Sequence, residues 1–388
     1  MSEEGTSRKV FKFLKKQCIL SFFSIFTLIF GSLLVFDSKI NPISLSFPEP
    51  PDLIGPLAVN ERLTFAKILH TRQVKGCESM VKVGDYIYGT TQDGKIIKFN
   101  DTHIELLTLL NPSFCKTIQE CGRPLGIRYD AVNNRLMIVD AYFGLFEVDL
   151  LTGKANRLFP KDNSGFKVTF FNDLDILPNG DVIISESSTK YQLHNMISII
   201  FESKPNGRVL RVNPNTGEYH ILIDNLYFPN GVQLYRNDDE TVLVAETLKL
   251  RVLAINVKPK SAISVRSKVF VDFLPGFPDN IRPSFSKQGY WINFASIRHS
   301  QNSFVTDIIA SSPFLKNSIK KLLSDSILHM LMRTSHGIVV RVDELGNLIE
   351  SLHDSKGVNV STSSETLEVG NHLYLGNYYL PYLVKINL

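Results

Sequence analysis

The sequence predicts an all-β protein, a six-bladed β-propeller preceded by one N-terminal transmembrane helix. Three observations predict it: six in-phase copies of a short alternating strand, two further strand patterns ahead of each copy, and one long uncharged apolar run near the N-terminus. The copies are DGKIIKFN (93–100), GLFEVDL (144–150), GRVLRVN (207–213), LRVLAINV (250–257), GIVVRVD (337–343) and PYLVKIN (381–387). Each alternates with the period of two that marks a half-buried strand.

A second strand precedes each copy: YIYGTT (86–91), RLMIVDA (135–141), DVIISES (181–187), TVLVAET (241–247), YWINFAS (290–296) and HLYLGN (372–377). A third precedes each of those: ESMVKV (78–83), LGIRYD (125–130), NDLDIL (172–177), NGVQLY (230–235), NIRPSF (280–285) and ETLEVG (365–370). Turn signals such as Asn133-Asn134, Asn179-Gly180 and Gly370-Asn371 separate them. Three strands per unit, with a fourth outer strand where length permits, describe propeller blades. The last unit stops at Leu388 after three strands, and the spare strand LTFAKILH (63–70) is expected to supply its outer strand. That closes the ring and hides the sheet edges. The propeller is therefore assigned to residues 61–388.

Residues 1–16 carry five basic and two acidic side chains and are read as a cytoplasmic tail. Residues 17–36, QCILSFFSIFTLIFGSLLVF, hold no charge across twenty positions, enough for a bilayer core. The basic flank predicts a signal anchor of type II, with the propeller lumenal or extracellular at the plasma membrane or endoplasmic reticulum. A cleaved signal peptide would have a shorter apolar core and a small-residue cleavage site. Prolines 42, 48, 50, 51 and 56 mark residues 37–60 as an extended stalk. Asn100 and Asn359 begin glycosylation sequons that suit this topology.

The net charge of +4 sits mostly in the tail, leaving about +1 elsewhere, which excludes a nucleic-acid footprint. Cys115 and Cys121 lie six apart in a loop and are expected to pair as a disulfide, while Cys77 is expected to be buried and reduced. Between Trp291 and Gly337 the fifth unit is too long by about twenty residues; apolar positions from Leu315 to Met332 recur at helical spacing, predicting an amphipathic helical insertion near 304–333. It packs on the blade ends, or serves as a lid or a membrane-touching element.

The innermost strand of each blade begins near the axis. Glu78, Asn172 with Asp173, Asn230, Asp279 with Asn280, and Glu365 therefore converge at one end of the channel. Singly, each is an ordinary strand-start residue. Five in one phase of a repeat form an oxygen-rich cluster suited to a hard cation, and Ca²⁺ is the expected cofactor. The absence of Cys and of a clear His from the set argues against zinc or copper.

The strings GCESM, CGRPLGIR, DAYFGL, FFNDLDILPNGDV, FPNGV, LPGFPDNIRPS and HLYLGN, in this order, resemble the strictosidine synthase-like proteins. Paraoxonases and gluconolactonases are more distant members of the same six-bladed group. The resemblance implies a channel-mouth calcium held by Glu78, Asn172, Asn230 and Asp279, with Asn280 adjacent. It places Asp173 at a second, structural calcium, makes Cys115–Cys121 the family disulfide, and makes Asp279 a candidate general base. Glu365 matches, with a one-residue gap, the glutamate of the synthases that condense an amine with an aldehyde. The family's usual proline at position 77 is cysteine here, and no histidine pair matches the one proposed in the paraoxonases; His194, His299 and His336 fall in loops that could reach the face.

The function expected is calcium-dependent hydrolysis of a small-molecule ester or lactone, with Asp279 or a channel histidine activating water and Tyr191, Gln192 and the 297–336 insertion shaping the pocket. A non-catalytic binding propeller with a structural calcium is the second reading, and amine–aldehyde condensation through Glu365 the third.

Overall fold

The computed structural model describes residues 15–17, 20–21, 24–25, 27–28, 31, 40–111, 115–162, 164–258 and 266–388. Its core is six four-stranded antiparallel sheets. Blades one to five span residues 80–109, 124–159, 171–226, 229–271 and 276–354, and blade six spans 365–387. The innermost strands touch in sequence from blade one to blade six and back to blade one, so the sheets form a ring. The outer strand of blade six is Lys67–Leu69, paired antiparallel with Leu383–Asn387 in the register Lys67↔Lys385, Ile68↔Val384, Leu69↔Leu383. The spare strand closes the ring as expected.

The alternation of the repeats becomes packing between blades. Each of the six blade–blade interfaces holds its own buried apolar cluster. Second strands such as Val182–Glu186 are buried throughout because a neighbouring blade covers each face, whereas outer strands such as Ile104–Leu109 keep one face partly wet. Every interface therefore needs both neighbours. A chain ending at Tyr382 lacks the strand that joins both ends of the ring, and it is expected to show no cooperative unfolding transition as a monomer. Urea denaturation checks this; a truncated chain with the midpoint of the full one would contradict closure.

The expected helical insertion is present as three helices, Phe304–Ser311, Pro313–Leu322 and Asp325–Leu331. Ser312 and Ser324 cap the second and third by accepting from Leu315 N and Ile327 N, and Pro313 sits where its missing N–H costs nothing. A further helix, Met196–Glu202, joins the second and third strands of blade three and carried no clear signal in the sequence.

Residues 40–60 are extended, but they are not a free stalk. Ile40, Leu45 and Leu57 are buried. Ile43 N donates to Glu202 O and Leu45 N to Ala310 O, each at 3.0 Å; Lys316 Nζ donates to Ile43 O at 2.8 Å; Ser351 Oγ donates to Pro56 O at 2.8 Å. The prolines keep the segment straight, and its spare carbonyls are met by side chains of the propeller face, so it is a strap rather than a spacer.

Among the described residues no helix is long and apolar enough to cross a membrane. The expected span 17–36 lies largely outside the described residues; the described ones within it are helical. Cys115 and Cys121 form a disulfide, and Cys77 is buried and free. Of the two sequons, Asn100 lies in a turn where its Oδ1 accepts from Thr102 N and His103 N. Asn359 is half-buried, with Nδ2 donating to Thr64 O at 2.7 Å and Ala66 O at 3.2 Å, so a glycan there would sacrifice both bonds.

Candidate metal centre

The axial site is built by a repeated irregularity. In blades two to five the innermost strand slips register against the second strand between residues 124 and 127, 171 and 174, 229 and 232, and 278 and 281. A bulge turns two successive residues off the regular pleat. The slips fall on Leu125-Gly126, Asn172-Asp173, Asn230-Gly231 and Asp279-Asn280, so Asn172, Asn230, Asp279 and Asn280 are bulge positions, whereas Glu78 precedes a regularly paired strand. Glycine in two of them permits close approach: a Cβ on Gly231 would lie 2.6 Å from Asn280 Cα, and one on Gly126 2.8 Å from Asp173 Cα. Hydroxyls from neighbouring second strands pin the bulges, Thr90 Oγ1 to Leu125 O at 2.6 Å, Ser185 Oγ to Asn230 O at 2.6 Å and Thr247 Oγ1 to Pro278 O at 2.7 Å.

Glu78, Asn172, Asn230, Asp279 and Asn280 are all buried at this end of the channel. Asn280 Nδ2 donates to Glu78 Oε1 at 2.8 Å, and Asn172 Nδ2 to Ser187 Oγ at 3.1 Å, which turns the amide oxygens the other way. The result is four buried oxygens with no partner: Glu78 Oε2, Asn172 Oδ1, Asn230 Oδ1 and Asn280 Oδ1. They come from blades one, three, four and five. Orphaned buried acceptors are costly and rare, and four at one place amount to a donor set lacking its acceptor.

The charges agree. Among the described residues neither Glu78 nor Asp279 has an ion pair, and burial pushes the Asp279 carboxyl up to about 7 and Glu78 well above the usual carboxylate range. Their mutual repulsion, and that of Asp173 and Glu365, adds to the effect on Glu78. Two buried acids without a counter-charge match one divalent cation, which would lower both. Oxygen-only donors, two carboxylate and three amide, suit calcium. Among the described residues no group of three or more His, Cys, Asp or Glu side chains is arranged for a metal; the set at the axis has two carboxylates and completes itself with amides.

Two assigned residues are used otherwise. Asp173 accepts from Arg282 Nη1 at 2.8 Å and from Val232 N at 2.7 Å, with Arg128 at 3.4 Å. The two guanidiniums hold its carboxyl below the ordinary range despite burial. Glu365 accepts from Met80 N at 2.5 Å and Ser79 Oγ at 2.6 Å and pairs with Arg282 Nη2 at 2.5 Å. It is fully buried with both oxygens engaged, which leaves no free atom for a condensation reaction. Arg282, absent from the sequence reading, is thus the hub beneath the metal site. Its only prior signal was a lone cation in NIRPS, two residues beyond a ligand pair.

The strap roofs the mouth. Phe170, Phe228 and Phe277, each two residues before a ligand, cluster with Leu45 and Phe47, and Phe47 meets Phe277 edge-on at 5.5 Å. Tyr191 joins this apolar cluster, whereas Gln192 starts a 3-10 turn and His194 is exposed, stacked on Tyr142. Phe228 takes a left-handed φ of 60°, a strained backbone state of the kind that gathers at functional sites. Two surface cavities, of about 290 Å³ and 470 Å³, lie at the opposite end of the blades, the larger lined by Lys82, Phe285 and Glu368.

His299 and His336 meet a third histidine, His353, whose role the sequence did not signal. His336 Nε2 and His353 Nδ1 are 2.9 Å apart, and His353 Nε2 lies 2.8 Å from Ser351 Oγ. Ser351 gives its only proton to Pro56 O, so His353 Nε2 carries the hydrogen and Nδ1 accepts from His336. A proton on Nδ1 would require His336 to change tautomer and accept. Burial, then His336, depress His353 from the ordinary 6.5 to about 4. The unfolded chain thus binds a proton here that the fold refuses. This group's contribution is complete above pH 6.5 and declines as pH falls towards about 4. Replacing His353 with Gln is expected to flatten the loss of thermal stability across that window; an unchanged slope would remove the group from the account.

Comparison with known proteins decides the kinship. The strictosidine synthase family model matches residues 172–258, which include two of the ligand bulges. Adipocyte plasma membrane-associated protein of Bos taurus is 38% identical over 365 residues, covering 92% of this chain and 87% of that protein. The chain belongs to this family. The Homo sapiens protein of the same name is 36% identical, covering 92% of this chain and 86% of that protein. Family members are named for plasma-membrane association. Among solved structures, a gluconolactonase from Xanthomonas campestris matches with a TM-score of 0.55 at 16% identity, over 91% of this chain and 99% of that one. The calcium-binding protein regucalcin from Agrobacterium tumefaciens matches at 0.53 and 15%, over 83% and 93%. These two likenesses concern the fold.

Proposed function

We propose that this family member is a membrane-anchored, calcium-binding propeller that hydrolyses small ester or lactone substrates. The observation that carries it is the set of four orphaned oxygens, with Asp279 beside them, converging from four blades. Bound by Glu78, Asn172, Asn230, Asp279 and Asn280, Ca²⁺ would supply Lewis acidity toward a substrate carbonyl oxygen. Asp279, buried among these side chains, is placed to take a proton from an attacking water. Phe170, Phe228, Phe277 and the strap exclude bulk water from the mouth and favour an apolar substrate. The fold shared with a gluconolactonase and a calcium-binding propeller supports this choice. Residues 17–36 span the membrane as a type II anchor, with 1–16 in the cytosol.

The test is turnover of aryl esters and lactones by the full chain in detergent with added calcium. Asp279→Ala is expected to lose at least about 100-fold in kcat/KM, within the range of general-base contributions. Equal turnover by both proteins would remove this site from the reaction. The second reading, a binding propeller with a structural calcium, is favoured by one observation: the strap and its apolar cluster cover the mouth. It predicts calcium-dependent stability with no hydrolysis.

A further inference from the structure

The three-helix insertion has two faces of different character. Its inner face meets Met196–Glu202 and the start of the strap, where Ile40, Ile197, Phe201 and Leu328 form one buried cluster with Ile309 and Ile319 against it. Its outer face leaves Val305, Ile308, Phe314, Ile327, Met330 and Leu331 exposed, Phe314 at 70%. Within the first helix the exposed pair is spaced i, i+3, and within the third the exposed three are spaced i, i+3, i+4, so each helix shows one apolar stripe to solvent. Large apolar side chains left exposed on three successive helices point to a docking surface.

The chain itself names the occupant. Ile40 is pinned against Leu328 in the third helix, and the apolar run ends at Phe36. Four residue steps reach at most about 14 Å. A span ending at Phe36 therefore holds the insertion within one helix diameter or two of the bilayer surface. Lys316 is buried against the strap, and the rest of the segment 304–333 carries three basic side chains (Lys320, Lys321, Arg333) against two acidic (Asp307, Asp325), a small excess of the sign that suits anionic headgroups.

We propose that the outer face of the helices Phe304–Ser311, Pro313–Leu322 and Asp325–Leu331 lies in the headgroup region of the membrane that anchors the chain. The proposal rests on the span at 17–36 and adds a second attachment. It turns the channel mouth toward the bilayer, because the insertion joins strand ends on the same side as the ligand bulges. Substrates would then reach the site from the lipid phase.

The experiment uses the full chain in phosphatidylcholine–phosphatidylserine vesicles with brominated acyl chains. The native protein has one tryptophan, Trp291, fully buried, which gives a common background. Phe314→Trp and Leu331→Trp report the proposed face. Val132→Trp reports the opposite end of the ring, since residue 132 lies in the turn after the innermost strand of blade two. Docking predicts at least twofold stronger bromine quenching at 314 and 331 than at 132. Equal quenching at all three in a chain that floats with the vesicles overturns the docking and leaves the anchor standing. A chain that does not float overturns both.

Discussion

Replacing Arg282 with Met is expected to destabilise the propeller by about 3–5 kcal/mol, the largest effect of any single exchange near the axis. Arg282 is 4% exposed and joins Asp173 to Glu365 across the channel, with Nη2 also donating to Ser79 Oγ at 3.1 Å. Its removal leaves two buried carboxylates with one fewer counter-charge between them, and Arg128 pairs with Asp173 and Asp175 but not with Glu365. Neither acid can retreat to solvent, so the fold would carry an unpaired buried charge or a protonated acid. Urea denaturation measures the cost. Arg282→Lys is expected to recover part of it, because one ammonium cannot serve both carboxylates with the guanidinium's fork. An unchanged midpoint in the Met variant would show that the network is not what ties blades three, five and six together.

Adding calcium is expected to raise the thermal midpoint, and chelation to lower it. Stabilisation by a ligand that binds only the folded state follows its concentration, about 2.7 kcal/mol at one hundred times Kd. Glu78→Gln removes one of two uncompensated buried charges while keeping the shape. It is expected to abolish most of the calcium-dependent shift while raising stability in chelator, since a buried carboxyl with a strongly raised pKa is no longer present. A variant that keeps the full calcium shift would place the ion elsewhere. The opposite signs of these two effects separate a ligand from a structural acid.

Much of this arrangement was legible before any coordinates. The blades follow from alternation because each strand must bury one face against each neighbour, and closure by Lys67–Leu69 follows from a missing strand at one end and a spare at the other. The gathering of Glu78, Asn172, Asn230, Asp279 and Asn280 at one end of the channel was expected from their phase in the repeat, and all five are buried. What periodicity cannot carry is how charge is shared at the axis. Asp173 and Asn172 are adjacent letters, yet the bulge sends one to Arg282 and leaves the other's oxygen without a partner. Glu365 stands in phase with the ligand candidates, yet it meets Ser79, Met80 and Arg282, partners from blades one and five that no repeat phase announces. The strap escaped for a similar reason: prolines announce extended backbone, and only tertiary contacts decide whether that backbone stands free. His353 was missed because His336 reaches it only across the pairing with strand Gly337–Val342, and the adjacent Ser351 fixes its tautomer only through the bond it gives to the strap.

The most direct test is electron density at the axis in crystals grown with calcium. An ion with oxygen ligands from Glu78, Asn172, Asn230, Asp279 and Asn280 at about 2.3–2.6 Å is the predicted result. Water at hydrogen-bonding distance in its place, or those five side chains turned from one another, would contradict the account.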